Sequence, residues 1–219
     1  FILITNRKIC ETKLTDIIKQ PIDGGVGTVQ LREKDLSTAD LYYLAKDIRK
    51  ITNKKNVNLI INDRVDIAIA VDADGVHLGW QSLEIGLVRS MIGRDRLIGF
   101  SAHSLEETER AENSGADYVT ISPIFDTANK DYFIKPLGID EIRRIKTQID
   151  IPVIALGGIN ENNVCDILGT GADGIAVISA IIQSENPRQS ADRLYREITR
   201  NKSKSKERIL TGRNDAITG

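Results

Sequence analysis

Residues 151–179 read IPVIALGGINENNVCDILGTGADGIAVIS, and this stretch decides the fold. It contains two short runs rich in β-branched residues, 152–156 and 174–177, with a segment between them that is long enough for a helix. Both runs are apolar almost throughout, which is typical of parallel strands buried on both faces. The stretch therefore predicts two parallel strands joined by a helix.

Runs of the same kind recur along the whole chain. Apolar residues at helical spacing lie between the runs, as in Leu41, Leu44, Ala45, Ile48 and Ile51. Alternating strands and helices predict a parallel sheet, and eight such units in 219 residues favour an α/β fold of the (β/α)8 TIM-barrel type over an open doubly wound sheet. The eight predicted strands are 1–5, 28–32, 58–62, 75–78, 97–101, 118–122, 152–156 and 174–177.

Composition excludes several classes of protein. Thirty Lys and Arg against 31 Asp and Glu give a net charge of −1, so no nucleic-acid partner is expected. No apolar run approaches the roughly 20 residues of a membrane span. Cys10 and Cys165 are too few for a disulfide framework or a four-cysteine zinc site, and they fit a reducing, cytoplasmic location. We expect one barrel domain over 1–200 and a polar, basic tail over 201–219.

In a barrel of this type, chemistry takes place where the strands end. Gln30, Arg32 and Lys34 alternate along the end of the second run, so they share one side of it. Cations inside a barrel are costly unless an anion accompanies them, and a phosphate or diphosphate suits the arginine fork. A structural ion pair with Glu33 or a neighbouring carboxylate is the alternative.

Asn62 and Asp63 end the third run. Asp63 is either the N-cap of the following helix or a ligand of Mg²⁺, which prefers a carboxylate combined with substrate phosphate oxygens. Both interpretations stay open at this point. His77 has apolar neighbours and is predicted to be a hydrogen-bonded core residue, and His103 to be a cap or a supporting residue. No Ser-His-Asp order or zinc-ligand spacing is visible.

Two further segments indicate binding of anions. The loop over 123–138 is long for a compact barrel and mixes hydroxyl, amide and ammonium donors, so we expect a lid over an anionic substrate. Gly157 and Gly158 allow close approach of the backbone, and the eighth run ends in Ser179, as in barrels that bind phosphate there. Arg32, Lys34 and Lys130 are expected to form one anion site, and Gly158, Ile178 and Ser179 a second, which predicts an enzyme that joins two phosphorylated substrates.

These motifs together resemble the thiamine-phosphate synthase family, which includes thiazole tautomerases. The resemblance covers 1–200, and its segments keep the order found in the family. They are 29–35 (VQLREKD), 61–78 (INDRVDIAIAVDADGVHL), 99–103, 115–127 (GADYVTISPIFDT), 136–138, 151–159 (IPVIALGGI) and 171–181.

The resemblance implies a transferase of thiamine biosynthesis that couples hydroxymethylpyrimidine diphosphate to thiazole phosphate, with Mg²⁺, and releases diphosphate by dissociative displacement. It implies that Asp63 binds the metal and that the catalytic residues are Arg32, Lys34, Ser101 and Lys130. It further implies three sets of substrate contacts. They are Gln30, Arg32, Lys34, Asn62 and Ser101 for the pyrimidine diphosphate, Thr127, Asn129 and Lys130 in the loop that closes over it, and Gly158, Ile178 and Ser179 for the thiazole phosphate.

The chain also departs from the family pattern. Gly79-Trp80-Gln81-Ser82 stands where the family reads Gly-Gln-Glu-Asp, so Ser82 replaces a second metal-binding aspartate. Asp126 stands where proline is common, and Asn129 where a hydroxyl residue is common. Pro123 stands where tautomerases have their catalytic histidine.

Three alternatives therefore accompany the synthase interpretation. They are a thiazole tautomerase, a non-catalytic regulatory relative that binds phosphate, and another phosphate-handling barrel such as a sugar-phosphate epimerase. Small-molecule substrates are expected in any of these enzymes, and a homo-oligomer is left open.

Overall fold

Eight parallel strands close into a barrel in chain order, with the last strand paired to the first. The computed structural model describes residues 1–127 and 135–212, with side chains up to residue 201. The TIM-barrel prediction is confirmed, and the open-sheet alternative is wrong. The strands are β1 (Ile2–Ile4), β2 (Thr28–Leu31), β3 (Asn58–Asn62), β4 (Gly75–Leu78), β5 (Leu97–Ala102), β6 (Tyr118–Ile121), β7 (Val153–Leu156) and β8 (Gly174–Val177).

Helices surround this barrel and connect its strands. α9 runs across the predicted boundary at 200/201 without a break, so the division into a barrel domain and a tail stays a prediction. The helices within the described residues are α1 (Leu14–Asp23), α2 (Thr38–Lys55), α3 (Val65–Ala70), α4 (Ile85–Ile92), α5 (Leu105–Asn113), α6 (Ile139–Lys146), α7 (Val164–Leu168), α8 (Ser179–Ile182) and α9 (Pro187–Gly212). None of the helices in this part of the chain is both long and apolar enough to cross a membrane.

Two apolar layers result from the alternation of side chains along the strands. Residues such as Leu59 and Ile61 point outward and are fully buried in the cluster that the helices cover. Their neighbours point into the barrel, where Ile2, Ile4 and Ala176 form a separate cluster with Tyr118. The barrel interior is therefore apolar around β1, β7 and β8, whereas β2 to β6 contribute polar side chains to it.

We call the amino ends of the strands the lower end of the barrel and the carboxyl ends its upper rim. The lower end is held by aspartates that directly precede a strand. Asp74 accepts the backbone N–H of Leu59 at 2.7 Å and pairs with Arg49 of α2, whose Nη1 lies 2.6 Å from the carboxylate. Asp117 makes the same two contacts with Ile98 and Arg89, and Asp173 with Val153 and Lys146.

Candidate active site

Asp63 is the centre of a polar cluster on the upper rim. Its backbone is left-handed, with φ of 60°, a conformation that aspartate tolerates better than most residues and that often marks functional sites. Its N–H donates to the carbonyl of His77 at 3.0 Å, which ties the end of β3 to β4. The N-cap interpretation is wrong, because the residue that caps α3 is Arg64. The half-buried Asp63 carboxylate instead faces Asn62 and Ser82.

Ser82 is the residue whose contact the sequence did not predict. Its hydroxyl donates to Oδ1 of Asp63 and accepts the N–H of Gly79 at 2.7 Å. The N–H of Ser82 also donates to the carbonyl of Gly79 at 3.0 Å, which closes a tight turn. The substitution noted in the sequence therefore places a hydrogen-bond donor against Asp63, where a second carboxylate would otherwise stand.

Gln30, Arg32 and Lys34 follow one another along and beyond β2, as predicted. Gln30 is 2% exposed, and its Nε2 lies 3.4 Å from Oδ1 of Asn62. The N–H of Arg32 donates to the hydroxyl of Thr5 at 3.0 Å. Arg32 is half-buried and Lys34 exposed, and neither forms an ion pair with the described part of the chain.

The alternative role for these two cations, a structural ion pair with Glu33 or a neighbouring carboxylate, is wrong for the described residues. Glu33 lies two residues beyond β2 and is 5% exposed, and its carboxylate accepts the N–H of Arg7 at 3.0 Å. Its carboxylate also lies 3.5 Å from the Arg7 guanidinium. The charge of Arg32 is therefore left half-buried at the rim without an ion-pair partner in the described residues.

His77 lies inside the barrel as a buried hydrogen-bonded residue, as the sequence predicts. It is 3% exposed, and burial lowers its pKa to about 4, so the ring is neutral near pH 7. Its Nε2 lies 2.8 Å from the hydroxyl of Ser101 and 3.3 Å from that of Thr120, and its Nδ1 lies 3.2 Å from the Tyr118 hydroxyl. This network fixes the position of Ser101.

Gly99 makes room for that network. A Cβ at this position would lie 2.2 Å from the ring of Tyr118 and 2.5 Å from Nδ1 of His77. His103 lies outside the network, where its Nδ1 donates to the carbonyl of Ser122 and its N–H donates to Glu107 at 2.7 Å. His103 therefore contacts neighbouring loop residues, and its supporting role stays a prediction.

The ends of the long loop are anchored on the upper rim. The N–H of Leu137 donates to the carbonyl of Pro123 at 2.9 Å, and the N–H of Phe125 to that of Gly157 at 3.1 Å. A Cβ on Gly158, whose φ is 68°, would lie 2.7 Å from Cβ of Phe125. Glycine is therefore needed at this position, and likewise at Gly157, where the loop contacts the end of β7. Thr127 is described and half-buried, whereas Asn129 and Lys130 lie outside the described residues.

The predicted second anion site lies at the adjacent ends of β7 and β8. Leu156 is paired with Ala176, so Gly158 and Ile178 follow at the same level. Ser179 begins α8 directly after them and is exposed. The structure thus places Gly158, Ile178 and Ser179 just beyond the ends of two paired strands, where the barrel interior is apolar.

The oxygen atoms around Asp63 are suitable ligands for a divalent cation that also binds phosphate oxygens. One carboxylate, the Ser82 hydroxyl and the Asn62 amide offer oxygen ligands, which suit Mg²⁺. No group of three or more His, Cys, Asp and Glu that could hold a metal occurs in residues 1–127 and 135–201. The protein groups therefore fit a cation whose remaining ligands come from water and substrate, and not a closed all-protein site.

Three comparisons with known proteins agree with this geometry. The family model described as thiamine monophosphate synthase matches residues 1–181. The thiamine-phosphate synthase of Methanobrevibacter smithii is 42% identical over 195 residues, which are 89% of this chain and 93% of that protein. The thiamine-phosphate synthase of Clostridium novyi is 44% identical over 185 residues, 84% of this chain and 91% of that protein.

A solved structure gives the same result. The thiamine phosphate pyrophosphorylase of Pyrococcus furiosus superposes with a TM-score of 0.84 at 35% identity, and the match covers 91% of this chain and 95% of that one.

Proposed function

This chain belongs to the thiamine monophosphate synthase family, and we propose that the residues on its upper rim carry out the family's reaction in the roles that follow. It is a transferase of thiamine biosynthesis that acts on small-molecule substrates. The reaction joins hydroxymethylpyrimidine diphosphate to thiazole phosphate and releases diphosphate.

One observation carries the assignment of the diphosphate subsite. Arg32 is half-buried at the rim and has no ion-pair partner in the described residues, although an unpaired guanidinium is costly to bury. Gln30 and Asn62 bond to each other just below it, and Lys34 follows it. A diphosphate between these groups would compensate both cations with charge-assisted hydrogen bonds, and arginine binds phosphate oxygens with two parallel donors.

In the proposed mechanism, the bond between the pyrimidine methylene carbon and the diphosphate oxygen breaks first. The aminopyrimidine stabilises the cation that forms, and the thiazole nitrogen then donates its lone pair to the methylene carbon. Mg²⁺, when bound at Asp63, would neutralise negative charge on the leaving diphosphate. Arg32 and Lys34 stabilise the same developing charge, and Lys130 is proposed to do so from the loop.

No protein base is required, because the thiazole nitrogen attacks with its own lone pair. His77 fits this scheme as a positioning residue, since its neutral ring holds Ser101 at 2.8 Å. Ser101 is proposed to contact the pyrimidine. A fixed hydroxyl there would orient the ring with its methylene carbon towards the second substrate.

The second phosphate is assigned to the ends of β7 and β8. We propose that Gly158, Ile178 and Ser179 bind the thiazole phosphate through backbone N–H groups and the serine hydroxyl. Their position just beyond the paired ends of β7 and β8 supports this role. Thr127 is proposed to close over the substrates together with Asn129, because it follows the anchored part of the loop.

The tautomerase alternative is not favoured. Pro123, at the end of β6, occupies the position of the histidine that such enzymes use, and proline cannot transfer a proton. A regulatory relative without catalysis would still bind phosphate, so turnover decides between it and the synthase.

A turnover assay tests the proposal. Purified protein is supplied with both substrates and millimolar Mg²⁺, and thiamine phosphate and diphosphate are quantified. We expect equal amounts of both products, and a loss of at least 10³-fold in Asp63→Asn, the isosteric variant that lacks the negative charge. Binding of both substrates without product would contradict the synthase assignment and favour a regulatory protein.

We also propose that the chain forms a homo-oligomer through α4. The side chains of Trp80, Leu83, Leu87 and Met91 expose 70%, 50%, 52% and 48% of their areas around this helix. Glu84 precedes the helix and Arg94 follows it, so an antiparallel pair of copies would bring opposite charges together. Sedimentation velocity should show a dimer that Leu87→Asp dissociates, and a monomeric wild-type protein at micromolar concentration would contradict it.

A cytoplasmic location stays a prediction.

A further inference from the structure

The carboxylate of Asp63 already has hydrogen-bond donors on both oxygens within the protein. Oδ2 accepts from Nδ2 of Asn62 at 2.6 Å, and Oδ1 accepts from the hydroxyl of Ser82. The other side of that hydroxyl is engaged as well, because it accepts the N–H of Gly79 at 2.7 Å. The serine proton is therefore directed at Asp63, and the carboxylate is satisfied without a cation.

An aspartate at position 82 would have the opposite effect. Two carboxylates at hydrogen-bond distance repel each other, and a cation between them, or a proton, relieves the repulsion. Such a pair attracts a divalent cation before any substrate arrives. Ser82 removes one of the two negative charges and supplies a hydrogen-bond donor to Asp63. The repulsion that a cation would relieve is therefore absent from the free protein.

The surrounding charge acts in the same direction. Arg32 and Lys34 form no ion pair with the described residues, and Asp63 and Arg32 are both close enough to His77 to act on its pKa, Asp63 raising it and Arg32 lowering it. Arg32 and Lys34 thus add two positive charges without ion-pair partners in the described residues to the end of the barrel that contains Asp63. A divalent cation is repelled by this rim until an anion enters it.

A diphosphate changes that balance. It brings several negative charges and the phosphate oxygens that Mg²⁺ prefers, and one carboxylate then suffices because this cation keeps several waters. We propose that Ser82 makes metal binding in this chain conditional on the diphosphate, so that free protein holds no divalent cation and the cation enters together with the diphosphate. This inference rests on the proposed diphosphate subsite.

The experiment measures binding of Mn²⁺, a substitute for Mg²⁺, through the enhancement of water-proton relaxation when the ion joins a slowly tumbling protein. Wild-type protein is titrated with Mn²⁺ alone, and then with Mn²⁺ and inorganic diphosphate. We expect no enhancement with up to about 1 mM Mn²⁺ alone and a clear enhancement with diphosphate, since the ligand charge sets the affinity.

Three variants assign the effect to position 82. Ser82→Asp should bind Mn²⁺ without diphosphate at least tenfold more tightly than the wild type. Ser82→Ala, which adds no charge, should not bind Mn²⁺ alone. Ser90→Asp adds the same charge at an exposed serine of α4 and should also behave like the wild type.

Wild-type protein that binds Mn²⁺ alone as tightly as Ser82→Asp would overturn the inference, and so would Mn²⁺ with diphosphate that gives no enhancement. The turnover assay is independent of both results. Product formation by a wild type that binds Mn²⁺ alone would leave the synthase function standing and reject only the conditional site. If Mn²⁺ binds only together with diphosphate but no product forms, the conditional site would stand and the synthase function would be rejected.

Discussion

The two ends of the barrel treat charge in opposite ways. At the lower end, Asp74, Asp117 and Asp173 each accept a backbone N–H and pair with a cation from a neighbouring helix. At the upper rim, Arg32 and Lys34 form no ion pair with the described part of the chain, and Asp63 has only neutral donors. The charges of these lower contacts are paired within the protein, whereas Arg32 and Lys34 at the upper rim have no anionic partner in the described residues.

The lower contacts also repeat with the barrel. They use α2, α4 and α6 and the aspartates before β4, β6 and β8, and the fourth equivalent position, before β2, is Gly27. Each aspartate connects three elements. It pairs with a helix, accepts an N–H from the strand that follows that helix, and directly precedes the strand after that one. These pairs stabilise the fold, and this division of tasks is typical of the (β/α)8 barrel, in which activity belongs to the opposite end.

Among the variants that compare the two ends of the barrel, the largest effect is expected from Arg32→Gln. The variant removes a charge that pairs with nothing in the described residues, so the melting temperature should change by no more than a few degrees. Loss of a charged donor to the leaving group should lower kcat/KM by about 10²- to 10³-fold. Steady-state kinetics and thermal melting of the same preparation measure both. A large loss of stability with unchanged kinetics would show that the arginine is structural.

Asp74→Ala should have the opposite signature. The variant leaves the N–H of Leu59 and the mostly buried guanidinium of Arg49 without their acceptor, and Nε of Arg49 has no hydrogen-bond partner even in the wild type. We expect a loss of about 2–3 kcal/mol in the free energy of unfolding, with kcat/KM unchanged below the melting transition. Urea unfolding measures the loss.

Asp74→Asn is the matched control for this variant. It keeps an oxygen for the N–H of Leu59 but loses the charge, so its stability should lie between those of the wild type and the alanine variant. A catalytic defect in either folded variant would contradict the separation of the two ends.

His77 lies between the two ends and links stability to pH. Its pKa is about 4 in the folded protein because the ring is buried, against the ordinary value of 6.5 for histidine. As the pH falls, the unfolded chain therefore binds the proton before the folded protein does. The contribution of the neutral His77 ring to the free energy of unfolding is present above pH 6.5 and is lost as the pH falls towards 4. From pH 7 to pH 4.5 the loss amounts to roughly 2–3 kcal/mol.

His77→Gln should lack this part of the pH dependence. The variant is less stable at pH 7 because the network to Ser101 is altered, but its stability should fall less steeply on acidification. Urea unfolding of both proteins at pH 7 and pH 4.5 gives the difference directly, and the other titrating groups cancel. Equal slopes would mean that His77 is not buried in its neutral form.

The sequence predicted the fold well because strand and helix periodicity depend on neighbouring residues. All eight predicted strands were confirmed, with ends that differ by at most one residue, as in β5, which continues to Ala102. The alternation of side chains predicted that Gln30 and Arg32 share one side of β2, and Asn62 was predicted at the end of β3, where the structure has it. The three lower aspartates left a signal that was missed: each follows an alanine and directly precedes a strand.

The bond between Ser82 and Asp63 could not be predicted in this way. It joins the loops after β3 and β4, and it depends on the left-handed backbone of Asp63 and on the turn between Gly79 and Ser82. Neither geometry has a periodic signature. The sequence showed that a carboxylate was missing, but only the structure shows that a donor has taken its place.

The smallest effect is expected from Lys146→Met, which tests whether the lower contacts are equivalent. Nζ of Lys146 lies 2.8 Å from Asp173, whose side chain is 40% exposed, whereas Arg49 makes two hydrogen bonds to Asp74. Methionine keeps the aliphatic packing, and Asp173 still accepts the N–H of Val153. A single contact of an exposed carboxylate with a flexible ammonium contributes only about 0.5–1 kcal/mol. Urea unfolding should show that the free energy of unfolding falls by this amount, and by less in 1 M NaCl. A loss as large as that of Asp74→Ala would mean that these aspartates stabilise the fold through the cation and not through the backbone N–H.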